Sequence, residues 1–400
     1  MSYEDAVQHA ENNGATLGHA PKPLWLLAEV TYRCPLHCAF CYNPTDYVTH
    51  TENEISTEQW LKVLRDARKM GALQLGISGG EPLLRDDIEE LVAEAGGLGY
   101  YSNLITSGVG LTEKRIAEFK RGGLDHIQLS MHDITKEINN FITDTNTFGL
   151  KQKVAAMIKD YGYPMVLNVV IHRYNIEHIG EILEMAEALG ADFVELANTQ
   201  YYGWSLINRN QLMPTREQLD KAEAITNKFR ERIGSKMKIY FVVPDYFSDR
   251  PKKCMNGWGE VFMIVTANGD VLPCHSARVL PGMTFPNVKE HGLEWAWTES
   301  PAFTKYRGDS WMKEPCRTCP EKEKDLGGCR CQSFLLTGDA ESADPVCSLS
   351  PNHNVILQAI EDAKNPQLAS QPIVFRTDKN SRKLVEGENR ELIEKFHALP

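Results

Sequence analysis

The sequence predicts an α/β fold: a partial (β/α)6 barrel of the TIM type, followed by a smaller domain organised by metal rather than by a large core. Three features predict it. Between residues 23 and 236, short apolar runs alternate six times with amphipathic stretches, the pattern of parallel strands joined by crossover helices. The ten cysteines form two groups, three near the start of that region and seven after its end, with none between Cys41 and Cys254. From residue 252 periodicity weakens while cysteine, glycine and proline rise, as in a segment whose folding is coupled to metal binding.

The strand-like runs are Leu24–Tyr32, Leu73–Ser78, Tyr101–Thr106, His126–Ser130, Met165–Ile171 and Phe193–Ala197. Helical stretches follow near 56–70, 86–97, 112–122, 147–161, 177–189 and 215–233. Two of them open on a capping-box pattern, Ser56-Thr57-Glu58-Gln59 and Thr215-Arg216-Glu217-Gln218. Six units are fewer than a closed eight-stranded barrel needs, so the barrel is expected to be open on one side, with functional residues at the C-terminal ends of its strands. The expected organisation is an N-terminal extension (1–22), the barrel (23–236), a connector (237–251) with the apolar run Ile239–Val243, a cysteine-rich domain (252–364) and a C-terminal tail (365–400). The tail carries a short apolar run, Pro372–Phe375, and a final helix-like piece, Glu386–Ala398.

Composition narrows the function classes. Of 400 residues, 42% are hydrophobic and 24% charged, which suits a globular chain with a sizeable core. A net charge of −11 argues against a nucleic-acid partner, which needs a basic face. No apolar run is long enough to span a membrane, and the polar, acidic start lacks the basic and apolar stretches of a secretory signal. The expectation is a soluble cytoplasmic protein, and in a reducing compartment clustered cysteines point to metal sites rather than disulfides.

The first cluster reads R-C-P-L-H-C-A-F-C-Y, residues 33–42, directly after the first strand. Three thiolates in one loop would leave one iron of a four-iron cube without a protein ligand, open to a chelating small molecule; electron carriers supply four cysteines. Structural zinc is the alternative, with His37 as fourth ligand. The C-x3-C-x2-C spacing of Cys34, Cys38 and Cys41, followed by aromatic Tyr42, resembles the signature of the radical S-adenosylmethionine (SAM) enzymes. That resemblance implies the partial barrel, a [4Fe–4S] cluster with an open iron, and reductive cleavage of SAM to a 5′-deoxyadenosyl radical that abstracts a substrate hydrogen. It also implies cofactor-binding roles for Tyr42 and for Gly79, Gly80, Glu81 and Pro82 in S-G-G-E-P after the second strand. Ser130, at the end of the fourth strand, matches the family's serine that touches the cofactor. Asn103 and Ser107 from the third strand and Asn168 and His172 from the fifth are expected at the same mouth, while Leu196 from the sixth either contacts the adenine or belongs to the core. His132 and Asp133 are the candidate proton acceptors.

The remaining seven cysteines follow a second pattern: Cys254, then G-x4-C ending at Cys274, then Cys316, Cys319, Cys329 and Cys331, and lastly Cys347. It resembles the SPASM domain, an extension of radical SAM enzymes acting on peptides, which holds two auxiliary iron–sulfur clusters. Where the family pattern has a cysteine, this chain has Asp325. The family's partition assigns Cys316, Cys319, Asp325 and Cys347 to one cluster, with the carboxylate as a harder ligand. Cys254, Cys274, Cys329 and Cys331 remain for the other, either [2Fe–2S] or [4Fe–4S]. A zinc ribbon and a solvated Asp325 are the alternatives. The aspartate, the G-G-C-R-C-Q run and the length further resemble the PqqE family of pyrroloquinoline quinone (PQQ) biosynthesis. That implies a carbon–carbon link between Glu and Tyr side chains of a PqqA-type precursor peptide, delivered by a PqqD-type chaperone, with flavodoxin or ferredoxin as electron donor. Two other readings stand beside it: a sulfatase maturase or thioether-forming enzyme, and a metal-stabilised binding or electron-transfer protein. Tyr201-Tyr202-Gly203-Trp204 is either a substrate wall or packing.

Overall fold

The structure, a computed structural model, describes residues 20–47 and 51–385. The expected extension up to residue 19 and the helix-like piece Glu386–Ala398 lie outside the described residues.

Six strand–helix units follow one another: β1 (Trp25–Glu29), α1 (Thr57–Met70), β2 (Gln74–Ser78), α2 (Ile88–Gly97), β3 (Tyr101–Thr106), α3 (Glu113–Gly122), β4 (His126–Ser130), α4 (Lys136–Thr143), α5 (Phe148–Asp160), β5 (Met165–Ile171), α6 (Ile179–Ala188), β6 (Phe193–Asn198), α7 (Gly203–Ile207) and α8 (Arg216–Ile233). Both expected capping boxes form: Ser56 and Thr215 accept from the backbones of Gln59 and Gln218, whose side chains reach back to the cap. Helix α4 escaped the periodicity reading. It has eight residues, two of them the poor helix formers Asn139 and Asn140, and its cap is Thr135 accepting from Ile138.

The six strands pair in parallel in chain order, and the sheet grows at both edges. The run expected to be a connector supplies β7 (Lys238–Val242), parallel to β6. From the cysteine-rich region, β8 (Phe262–Val265) pairs in parallel with β1, and β9 (Val271–Leu272) closes a hairpin on β8, giving nine strands in the order β7-β6-β5-β4-β3-β2-β1-β8-β9. Edge strands leave unpaired peptide groups. At β7 the Arg230 guanidinium covers the Ile239 carbonyl, donating from Nε at 3.1 Å and Nη2 at 2.9 Å.

Strand alternation separates two faces. Leu104, Ile127, Leu129, Leu167, Val169, Val194 and Leu196 are buried in the main core with the helix residues Val154, Ile158, Ile182 and Leu183. Asn103, Gln128, Ser130, Asn168 and Glu195 lie on the opposite, half-exposed face, with Ser130 registered to Asn168 and Asn168 to Glu195. Among the described residues no helix is long and apolar enough to cross a membrane.

Candidate active site

Past β1 the chain enters the loop carrying Cys34, Cys38 and Cys41, and the Gly-Gly segment after β2 is zipped to its base. Gly80 N donates to Thr31 O at 2.6 Å and Glu81 N to Arg33 O at 2.8 Å. A Cβ on Gly80 would lie 2.3 Å from Arg33 O, and one on Gly79, at φ +130°, would lie 2.4 Å from Thr31 O. Only glycine permits that approach. Pro82, buried, opens the turn that follows, and Glu81 caps it. The buried Glu81 accepts from Leu83 N (3.1 Å), Thr106 Oγ1 (2.7 Å), Ser107 N (2.8 Å) and Ser107 Oγ (2.5 Å). Burial raises its pKa and these hydrogen bonds hold it back. Glu81 and Ser107 thus tie the ends of β2 and β3 together beneath the loop. Helix α4 braces the other side, with His37 N donating to Thr143 O (3.0 Å) and Ala39 N to Ile142 O (3.1 Å). His37, the conceivable fourth ligand, turns its Nδ1 to Asp144 at 3.1 Å.

Burial pushes the Cys34 thiol up to about 11 and Cys38 to about 12, and raises Cys41 as well. Two cations oppose this: Arg376 acts on all three and Lys151 on Cys38. Lys151, fully buried on α5, donates from Nζ to Ser130 O at 2.7 Å, and burial draws its pKa down to about 8. Arg376 arrives from the C-terminal tail, 1% exposed, and donates from Nη2 to Leu36 O at 2.6 Å. Sequence spacing pointed to neither residue. The signal for Lys151 was a lone charge among the apolar positions of a helix.

On the concave face Asn103 Nδ2 donates to Gln128 Oε1 (3.3 Å) and Asn168 Nδ2 to Glu195 Oε2 (2.8 Å). The structure buries Leu196, Asp133 and His132. The Leu196 side chain is fully buried on the helix side, because its parity is that of Val194 and not of Glu195. Asp133 is fully buried: Oδ2 accepts from Thr135 N (3.2 Å) and Oγ1 (2.5 Å), and Oδ1 meets His178 Nδ1 at 2.8 Å. Its neighbour His132, 2% exposed, has Nδ1 taken by Val170 N at 3.3 Å. In this arrangement both support the wall of the barrel. His172 is buried against Phe40 of the cysteine loop, ring centroids 6.1 Å apart. Tyr42 lies 4.5 Å from the His275 ring, and His275 Nδ1 is 2.8 Å from Glu29 Oε1 at the end of β1.

Two further cysteine sets converge separately. Cys274 and Cys331 sulfurs are 3.6 Å apart, and Cys254 bonds to both Cys274 and Cys329. Hydrogen bonds from Cys254, then Cys331, hold Cys274 and Cys329 well below the ordinary thiol range. Cys329 also caps α9 (Arg330–Thr337), where Gln332 N reaches its sulfur at 3.4 Å. The Tyr202 hydroxyl stands 3.0 Å from the Cys329 sulfur. Two residues on, Trp204 N donates to Cys41 O at 3.1 Å, so the aromatic segment bridges this tetrad and the first cysteine loop.

Cys316, Cys319, Asp325 and Cys347 line one cavity of about 320 Å³, open mouth included. Asp325, 6% exposed, accepts from Gly327 N (2.9 Å) at Oδ1 and from Arg250 Nη1 (3.1 Å) at Oδ2. That is not the setting of a solvated acid. Asp344, which sequence reasoning missed, lines the same cavity. It accepts from Cys329 N at 2.7 Å, Gln332 Nε2 at 2.9 Å and Val346 N at 3.0 Å, joining the two sets. Burial lifts its pKa to about 7. The Gly327-Gly328 turn lets the chain pass this close, since a Cβ on Gly328 would meet Asp344 Oδ2 at 2.5 Å.

Comparison with known proteins agrees with this geometry. Residues 28–186 match the profile of the radical SAM superfamily, and residues 254–320 that of the SPASM iron–sulfur cluster-binding domain. Similar solved structures include Streptococcus suis SuiB bound to S-adenosylmethionine (18% identity, TM-score 0.67, covering 82% of this chain and 77% of that one). SuiB bound to its precursor peptide SuiA has 18% identity and TM-score 0.68, covering 86% and 79%. Native anSMEcpe with AdoMet and the Cp18Cys peptide has 18% identity and TM-score 0.60, covering 86% and 98%. These likenesses establish the fold. Such a domain pair implies a [4Fe–4S] cluster, SAM and auxiliary iron–sulfur clusters, and a three-thiol loop beside a buried arginine with unpaired donors fits a group of excess negative charge. Residues 28–186 thus match a radical SAM domain that spans the partial barrel, and residues 254–320 match a SPASM domain that follows it.

Proposed function

We propose that this protein is a radical SAM peptide-modifying enzyme of the PqqE type, forming a carbon–carbon link between Glu and Tyr side chains of a PqqA-type precursor peptide. In this reading Cys34, Cys38 and Cys41 hold the [4Fe–4S] cluster and leave one iron to SAM. Cys254, Cys274, Cys329 and Cys331 hold the first auxiliary cluster; Cys316, Cys319, Asp325 and Cys347 hold the second. When bound, cluster and SAM together supply a reductively generated carbon radical that removes a substrate hydrogen.

The chain's own residues supply the setting. Gly79 and Gly80 let backbone lie against backbone beneath the loop, and Glu81 locks β2 to β3. Tyr42, Ser130, Asn103 and Asn168 offer polar contacts toward the cofactor, and Lys151 and Arg376 balance the charge of the thiolates. The observation that carries the PqqE-type reading is Asp325, buried and lining one cavity with three cysteines where other SPASM proteins would have a fourth. SuiB with its precursor peptide and anSMEcpe with a peptide share the fold, which supports a peptide substrate.

The test is anaerobic incubation of the reconstituted protein with SAM, a PqqA-type peptide, a PqqD-type chaperone and reduced flavodoxin or ferredoxin. The expected products are 5′-deoxyadenosine and a peptide lighter by two hydrogens, with fragmentation mapping the link to Glu and Tyr. A thioether or formylglycine product on another peptide would assign the chain to a different maturase class. No 5′-deoxyadenosine under any condition would end the enzymatic reading.

A further inference from the structure

The C-terminal tail crosses directly over the first cysteine loop. Asn208 clasps both segments: its Nδ2 donates to Ala39 O (2.9 Å) and Val374 O (2.8 Å), and its Oδ1 accepts from Val374 N (2.8 Å). Tyr47 OH donates to Asp378 Oδ1 at 2.6 Å, and Ser381 Oγ donates to Thr45 O. Between these clasps the Arg376 guanidinium lies over the Tyr47 ring, 4.6 Å from its centroid.

Arg376 is 1% exposed, yet two of its three nitrogens, Nε and Nη1, have no hydrogen-bond partner among the described residues. A buried guanidinium in that state is costly unless something accepts those N–H groups. The titratable groups acting on it are Cys41, Cys34, Cys38 and Tyr47. No carboxylate is within ion-pair distance of it among the described residues.

We propose that Arg376 is a positioning residue for the cluster at Cys34, Cys38 and Cys41: its free N–H groups donate to the thiolate sulfurs and its charge raises the cluster's reduction potential. This rests on the assignment of that cluster to those cysteines. Reduction adds negative charge beside a fixed positive one, so the guanidinium favours the reduced state. The tail would then supply the charge that makes the cluster reducible by a biological donor.

The experiment is a potentiometric EPR titration of the full-length holoprotein, following the signal that changes on adding SAM. With Arg376→Gln the reduced-to-oxidised ratio at a fixed potential should fall about tenfold, equivalent to ~59 mV for a one-electron couple. Arg376→Lys, which keeps the charge, should restore most of it. An unchanged potential in Arg376→Gln with that signal intact, or equal shifts in Gln and Lys variants, would overturn the proposal. If Arg376→Gln holds no iron at the loop, Arg376→Lys decides. Retained cluster and near-native potential support the proposal; loss of the cluster there too assigns Arg376 a purely structural role. Absence of any SAM-responsive signal in the unaltered protein would instead refute the cluster assignment itself.

Discussion

Substituting Gly80 by alanine tests whether the Gly-Gly segment positions the cysteine loop. The added Cβ would sit 2.3 Å from Arg33 O, while carbon and a carbonyl oxygen ordinarily approach no closer than about 3.3 Å. One of the two backbones must move by about 1 Å. Both are held, because the same stretch carries the 2.6 Å bond from Gly80 N to Thr31 O and the 2.8 Å bond from Glu81 N to Arg33 O. Overpacking costs ~1–3 kcal/mol. Loosening two backbone hydrogen bonds adds roughly 0.5–1.5 kcal/mol each. A loss of about 2–6 kcal/mol leaves a protein of ordinary stability folded or nearly so. The displacement falls one residue before Cys34, so iron at the loop should be lost before the fold is. The assay is anaerobic urea unfolding beside an iron and sulfide count and the SAM-responsive EPR signal. Gly97→Ala is the control: nothing lies within 4 Å of its Cβ, and an alanine at the end of α2 should be neutral or stabilise by up to ~1 kcal/mol. A Gly80→Ala protein with native urea midpoint and full iron would refute the reasoning.

Tyr202→Phe removes the hydroxyl 3.0 Å from the Cys329 sulfur without changing shape, and should lower the first auxiliary cluster's potential by roughly 40 mV, taking ~1 kcal/mol as the difference the bond makes between redox states; an unaltered potential by EPR titration sinks the assignment. Asp325→Cys should alter the spectrum and potential of the second auxiliary cluster and leave Arg250 paired with Glu321 alone, whereas an identical spectrum removes Asp325 from the ligand set. His172, held by burial at about 3 against an ordinary 6.5, stays neutral in the fold while the unfolded chain takes its proton first, so its contribution is whole above pH 6.5 and is lost as pH falls toward 3. His172→Phe should therefore recover about 2 kcal/mol of the stability lost between pH 6.5 and 5, read from urea midpoints, and an unchanged pH slope would contradict this.

The parts of this protein readable from sequence are those whose chemistry is local. Cys34, Cys38 and Cys41 sit in one loop, and a thiolate triad declares itself by spacing. The partition of the other seven cysteines with Asp325 followed from a family pattern, and the structure brings both sets together. What spacing cannot carry is a partner from a distant segment. Arg376 and Lys151 reach the loop only after the tail has crossed it and α5 has packed against β4, and Tyr202 meets Cys329 across the domain boundary. For Leu196 the signal that decides between mouth and core was present. Glu195 alternates with it, and in a strand whose concave face is polar the polar parity faces the site.

The two sheet extensions carry the barrel sheet into the connector and the cysteine-rich region, and they bear on mechanism. Strand β8 pairs with β1 along four registered residues, so the domain holding Cys254 and Cys274 is continuous with the strand that delivers Cys34. On the other side, Tyr202 and Trp204 span from the Cys329 sulfur to the Cys41 carbonyl within three residues of chain. A hinged auxiliary domain would need a linker free of such pairing. Here two independent tethers, one a parallel ladder and one a buried aromatic segment, fix the first cysteine loop relative to the tetrad. Electron exchange between clusters in these sites would run over a distance set by the sheet rather than by domain motion. Loosening one tether, as in Trp204→Ala, which keeps the backbone donor but removes the side chain packed with Tyr47 and Cys41, should disturb iron retention at both ends of it.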